Sequence, residues 1–191
     1  MKLLMHMCCA NCSLYPLKHL QSRSIDVKGL WFNPNIHPEE EYRRRLGALR
    51  ELESRWGLDV EYVDRYGIED FRESLRGHRG LRCEICYETR LGETARTARK
   101  MGLDGFTTTL LVSPYQRFDL IVDTGRRLEK KYSVRFYAED FRPGWREAVR
   151  LSREMGLYRQ KYCGCLYSRA EREAAGKARS IGRAAAAAGG A

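Results

Sequence analysis

No apolar run in this chain exceeds the length of a strand, well short of the roughly 20 residues that a membrane-spanning helix needs. Nothing in the sequence therefore reads as a span or an anchor. The N-terminus lacks the charged, apolar and small-residue succession of a secretory signal. Neither a P-loop nor a GxGxxG pattern is present, so no nucleotide requirement is expected. Cysteine is confined to three short clusters, Cys8-Cys9-x-x-Cys12, Cys83-x-x-Cys86 and Cys163-x-Cys165.

A length of 191 residues fits one domain. Folding at this size buries roughly 70% of the unfolded surface, so no covalent staple is required. The seven cysteines need another explanation. An odd count and the vicinal Cys8-Cys9 pair argue against an extracellular disulfide framework and for metal ligands or redox centres in a reducing compartment, and we expect the cytosol. Lys and Arg number 35 against 25 acidic residues, a formal charge of +10. That balance favours a polyanionic partner such as nucleic acid.

Hydrophobic periodicity gives five strand-helix repeats. Strands are expected over Lys2 to Met7, Val27 to Phe32, Leu58 to Val63, Gly105 to Leu111 and Val134 to Ala138. Helices are expected over Ser13 to Ser22, Glu39 to Trp56, Gly67 to Arg76, Thr89 to Met101, Phe118 to Tyr132 and Phe141 to Met155. Asn33-Pro34-Asn35-Ile36-His37-Pro38 forms a rigid turn into the second long helix. The order predicts an α/β fold with a single doubly wound, mostly parallel five-stranded sheet in a domain over 1–170. Residues 171–191 read as a charged, then Ala/Gly-rich and disordered tail.

The first cluster occupies a strand-to-helix turn, where open parallel sheets bind ligands. The CxxC and CxC spacings each turn two sulfurs the same way, so six thiolates can converge, with Cys8 as a seventh. A zinc ion or a cubane cluster uses at most four. Convergence of all three groups therefore implies a second metal or a redox-active thiol. The purely structural alternative is a four-cysteine zinc site pinning two loops. His6, alternating with Cys8 on the first strand, reads as a satisfied core or supporting residue, and His37 as a helix cap or phosphate contact.

The segments H-x-C-C-A-N-C, N-P-N-I-H-P, R-C-E-I-C-Y, T-T-T-L-L-V-S-P-Y and Y-R-Q-K-Y-C-G-C occur in this order. With them the chain closely resembles the epoxyqueuosine reductases of the QueH family, from about Leu3 to Ser168. It departs at Asn11, where proline is expected, and in its Ala/Gly-rich tail. The resemblance implies a cobalamin-independent oxidoreductase with a fold like that of the adenine nucleotide alpha hydrolases (HUP-like). Its substrate would be tRNA carrying epoxyqueuosine at the wobble position, reduced to queuosine with electrons from an external donor. A 4Fe-4S cluster close to a further mononuclear iron is implied as well.

On that footing all seven cysteines are expected to bind metal. Cys83, Cys86, Cys163 and Cys165, with Cys9, are expected to hold the cluster, and Cys8, Cys9 and Cys12 to supply remaining ligands and the second iron. Tyr115, Gln160 and Tyr162 are candidates for stabilising the leaving oxygen, and Arg79, Arg82, Arg159 and Lys161 for meeting anticodon-loop phosphates. Two rival functions remain at this point: a zinc-stabilised RNA-binding module without catalysis, and an ATP-dependent tRNA thiolation enzyme. The second would want a Ser/Gly-rich loop where Cys8 to Cys12 stand.

Overall fold

The computed structural model describes residues 1–188; the side chains of Arg79 and of residues 179–188 lie outside that description. Five strands form one wholly parallel sheet in the order β3-β2-β1-β4-β5. The strands are β1 (Lys2–His6), β2 (Asp26–Trp31), β3 (Val60–Tyr62), β4 (Gly105–Thr108) and β5 (Arg135–Phe136). β1 is central, and Leu3, Leu4 and Met5 are wholly buried, as expected of a strand covered on both faces. The chain turns one way from β1 to β2 and the other from β4 to β5, so the order reverses between β1 and β4. Right-handed crossovers then place helices on both faces.

The helices are α1 (Ala10–Ser22), α2 (Glu39–Trp56), α3 (Ile68–Ser74), α4 (Arg82–Lys100), α5 (Phe118–Tyr132), α6 (Trp145–Glu154) and α7 (Leu166–Ala188). α1 packs on α6, and α4 on α5. α2 follows the His37-Pro38 turn and ends at Gly57, whose φ of 61° is the left-handed conformation glycine accepts most readily. No helix among the described residues is long and apolar enough to cross a membrane.

Three differences from the sequence expectation bear on function. α4 begins at Arg82, seven residues earlier than expected, so Cys83 and Cys86 lie in its first turns rather than in a loop. No proline follows Gly80 before Lys100, and Cys83-x-x-Cys86 places both sulfurs along one helical face. β4 stops at Thr108 and tightens into a 3-10 turn over Thr109–Val112. The C-terminal stretch, expected to start as a charged helix and then decay, is helical from Leu166 through Ala188, in keeping with the high helix propensity of its alanines; residues 189–191 lie outside the described residues.

Candidate metal centre

The first thiol group sits at the carboxyl edge of β1, beside the end of β4, where the strand order reverses. Such switch points are the usual ligand crevices of doubly wound sheets. The sulfurs of Cys8, Cys9 and Cys12 are all buried and lie within 4.8 Å of one another. Cys9 caps α1, its sulfur accepting from the Cys12 N–H at 3.4 Å. Thr109, first residue of the 3-10 turn, accepts from the Cys8 N–H at 3.1 Å and donates its hydroxyl to the Cys8 sulfur at 3.3 Å. Hydrogen bonds from the Cys12 and Cys9 thiols hold Cys8 well below the usual thiol range. Burial pushes Cys9 up, and donation to Cys8 does the same for Cys12.

His6, one turn of strand before Cys8, is a fully buried neutral imidazole. The Asn33 amide donates to the Met7 carbonyl at 2.9 Å, so its oxygen accepts from His6 Nε2 at 3.1 Å. Thr108 accepts from the Leu110 N–H and therefore donates to His6 Nδ1 at 3.0 Å. Burial lowers the His6 pKa to about 4.

The second group brings Cys83 and Cys86 toward Cys163 and Cys165. Cys86 and Cys165 share a small apolar cluster with Phe71 and Leu75. Cys163 and Cys165 lie 3.9 Å apart, and the Ser168 hydroxyl is 3.0 Å from the former. Burial pushes Cys86 up to about 11, and the Cys165 thiol's hydrogen bond lowers Cys163 to about 5. These four sulfurs form no trio as tight as the first among the described residues.

Two buried arginines flank the thiols. Arg45 on α2 donates to the carbonyls of Tyr162 and Cys163 at 2.9 and 3.1 Å while pairing with Glu41 at 2.7 Å. Arg90 on α4 donates to the Cys86 carbonyl at 3.2 Å. Burial opposes the charge of both, and interaction with neighbouring titratable groups outweighs it: Cys9 and Glu41 for Arg45, Cys86 and Cys8 for Arg90. Periodicity hides these residues, yet each is a charge on an apolar helical stripe. Arg45 lies between Tyr42 and Leu49, and Arg90 between Tyr87 and Ala98, which is the signal that marks them.

Among the residues singled out from sequence, Gln160 reaches the first thiol group, its amide donating to Cys9 at 2.8 Å and lying 3.4 Å from Cys12. Asn11 sets that orientation by donating to Gln160 Oε1 at 2.9 Å and to the Tyr158 carbonyl at 3.0 Å. The Tyr162 hydroxyl donates to the His37 carbonyl, and its ring lies against Arg45, so it braces the cysteine loop. Tyr115 is 83% exposed and packs edge-on against Trp145. Arg82 pairs with Glu171 and covers the Tyr167 ring. Arg159 and Lys161 are exposed, and the Arg79 side chain lies outside the described residues.

A doubly wound parallel sheet with thiols gathered at its switch point and at an adjoining helix start defines an α/β protein with the donor set of a thiolate metal site. A family model described as epoxyqueuosine reductase QueH matches residues 3–171. Curated relatives named epoxyqueuosine reductase QueH include one from Dehalococcoides mccartyi, 37% identical over 90% of this chain and 94% of its own. Another, from Thermotoga maritima, is 38% identical over 88% of this chain and 91% of its own. The chain belongs to the epoxyqueuosine reductase QueH family.

Solved structures share the fold at lower identity. One is the U34-tRNA thiolase NcsA from Methanococcus maripaludis with its [4Fe-4S] cluster, with a TM-score of 0.59 and 14% identity over 90% of this chain and 64% of that one. Another, described as a predicted subunit of a tRNA methyltransferase from Methanocaldococcus jannaschii, has a TM-score of 0.52 and 14% identity over 80% of this chain and 75% of that one.

Proposed function

We propose that this protein is an epoxyqueuosine reductase acting on tRNA. Two electrons and two protons remove the epoxide oxygen of epoxyqueuosine at the wobble position, leaving an alkene and water. The observation that carries the reading is the gathering of three buried sulfurs at the sheet's switch point, in a chain whose residues 3–171 match the family.

The donor set fits iron with sulfur ligands. A metal–sulfur bond of about 2.3 Å sets a tetrahedral sulfur–sulfur spacing of roughly 3.8 Å. The Cys8–Cys9 separation of 3.8 Å and the Cys163–Cys165 separation of 3.9 Å both match that spacing, so each pair can share one metal ion, and the seven sulfurs together exceed the four that a single 4Fe-4S cluster uses. When bound, these centres supply electrons singly and a Lewis-acidic position.

The chain's own groups prepare both places. Gln160 and Thr109 donate to sulfurs of the trio, and the guanidiniums of Arg45 and Arg90 offset the charge of thiolates held away from water. Arg45 and Tyr162 hold the Cys163–Cys165 loop against α2. A structural zinc needs only four sulfurs and leaves the buried trio without a role, which favours the reductase over the zinc-stabilised RNA-binding module.

The test is complementation. Expressed in a bacterial strain that lacks its own reductase and accumulates epoxyqueuosine in tRNA, the chain should restore queuosine. Persistence of epoxyqueuosine despite soluble, metal-loaded protein would overturn the reading.

A further inference from the structure

Tyr115 presents 83% of its surface to solvent, although the loop that carries it is firmly anchored. That loop, 113–117, follows the 3-10 turn whose first residue, Thr109, bonds Cys8. The Ser113 hydroxyl accepts from the Tyr115 N–H at 3.3 Å, and its carbonyl from the Gln116 N–H at 3.2 Å. Tyr87, next to Cys86 on α4, donates to the Gln116 side chain at 2.7 Å and accepts from the Arg117 N–H at 3.3 Å. An aromatic ring held out into water gains nothing from burial, and loops positioned by a rigid scaffold are where binding residues concentrate.

The Tyr115 ring meets Trp145 edge-on at the start of α6, with centroids 5.9 Å apart. From Trp145 a groove of about 490 Å³ runs along α6, lined also by Arg146, Val149, Arg150, Arg153 and Glu154. The three arginines stand at i, i+4 and i+7, so they share one side of the helix. Arg150 pairs with Glu154 at 2.7 Å, whereas Arg146 and Arg153 have no ion pair among the described residues. Glu147, the other carboxylate of α6, turns to Lys18 on α1. The outer side of α6 thus carries uncompensated positive charge beside an exposed aromatic pair. Guanidiniums suit phosphates and an open ring suits a base; an acidic protein would use only the charge.

We propose that α6 and the Tyr115–Trp145 pair form the docking surface for the anticodon arm of tRNA. Tyr115 stacks on an unpaired base of the loop, and Arg146 and Arg153 contact phosphates of the arm. None of these residues is a thiol, and the surface holds the RNA whether or not its wobble position is modified. The inference rests on the reductase reading and adds to it the face that grips the RNA. That face differs from the one expected from sequence, where Arg82 is engaged by Glu171 and Tyr167.

The test is the affinity of the metal-loaded protein for an unmodified anticodon stem-loop at several salt concentrations. R146Q/R153Q should bind about tenfold more weakly, and its plot of log K against log salt should be shallower by about 1.4–1.8, the value for two phosphates. Y115A should also lose about tenfold, with the slope unchanged, and Y115W should restore binding. R99Q/K100Q, at the exposed end of α4 on the α5 side of the sheet, should bind as wild type does. Equal losses in the two double variants would reduce the effect to overall charge and overturn the surface. Wild-type binding by R146Q/R153Q and Y115A would overturn it too; turnover then lost only with a protein reductant in place of dithionite would assign the face to an electron donor. These outcomes leave the reductase reading intact, whereas a wild type that binds as described and converts no epoxyqueuosine would overturn that reading and not the surface.

Discussion

Gln160 donates its side-chain amide to the Cys9 sulfur at 2.8 Å, and Asn11 fixes the direction of that donation by bonding Gln160 Oε1 at 2.9 Å. Hydrogen bonds to sulfur ligands stabilise the more negative, reduced state of a metal centre. Replacing Gln160 by Leu should lower the reduction potential of the centre at the trio by on the order of 50 mV. Asn11→Ala should shift it the same way by less. A redox titration followed by electron paramagnetic resonance reads both, and an unchanged potential in Q160L would refute the role.

Arg45 joins a buried ion pair to two loop carbonyls. Arg45→Met leaves Glu41 without its guanidinium and should cost about 3–5 kcal/mol in urea unfolding. Arg44→Met, which breaks an exposed pair with Glu40, should cost under about 1 kcal/mol. Equal losses would mean that Arg45 has no special place in the loop's support.

Gly164 separates Cys163 from Cys165 with a φ of 129°, and a Cβ there would meet Ile36 at 3.1 Å and the Arg45 guanidinium at 3.3 Å. Gly164→Ala should destabilise the protein by more than about 1 kcal/mol and reduce the iron retained after anaerobic purification. Full iron content in that variant would show that the loop tolerates a different path.

His6 should make the fold sensitive to acid. Burial lowers its pKa from 6.5 to about 4. Between those values the unfolded chain takes up a proton that the folded chain refuses. Stability is therefore complete above about pH 6.5 and falls as the pH drops toward about 4, by about 3 kcal/mol from this group. Urea midpoints measured across that window in wild type and His6→Gln should diverge, with the variant showing the flatter dependence. Parallel curves would assign the acid sensitivity to other groups.

The sheet was legible because its evidence is local. Apolar runs such as Leu3-Leu4-Met5 are short and bounded by turns, and the helix over Glu39–Trp56 announces itself by spacing and by Gly57. The thiol clusters were legible as residue types at fixed spacing. The start of α4 was not, because a helix over Arg82–Lys100 can include two cysteines without altering its periodicity. The link from Asn11 to Gln160, and those from Arg45 to Tyr162 and Cys163, join elements remote in sequence, which no local pattern reports. His37 read as a cap or a phosphate contact, and only packing against Tyr66 and Phe71 reveals an imidazole nitrogen left without a partner.

The most direct test of the central claim is nucleoside mass spectrometry after incubating anaerobically reconstituted protein with dithionite and tRNA containing epoxyqueuosine. The account predicts that epoxyqueuosine disappears and queuosine, lighter by one oxygen, accumulates, with Cys9→Ser and Cys86→Ser inactive. Unchanged epoxyqueuosine in the presence of a fully loaded, reducible iron–sulfur centre would contradict it.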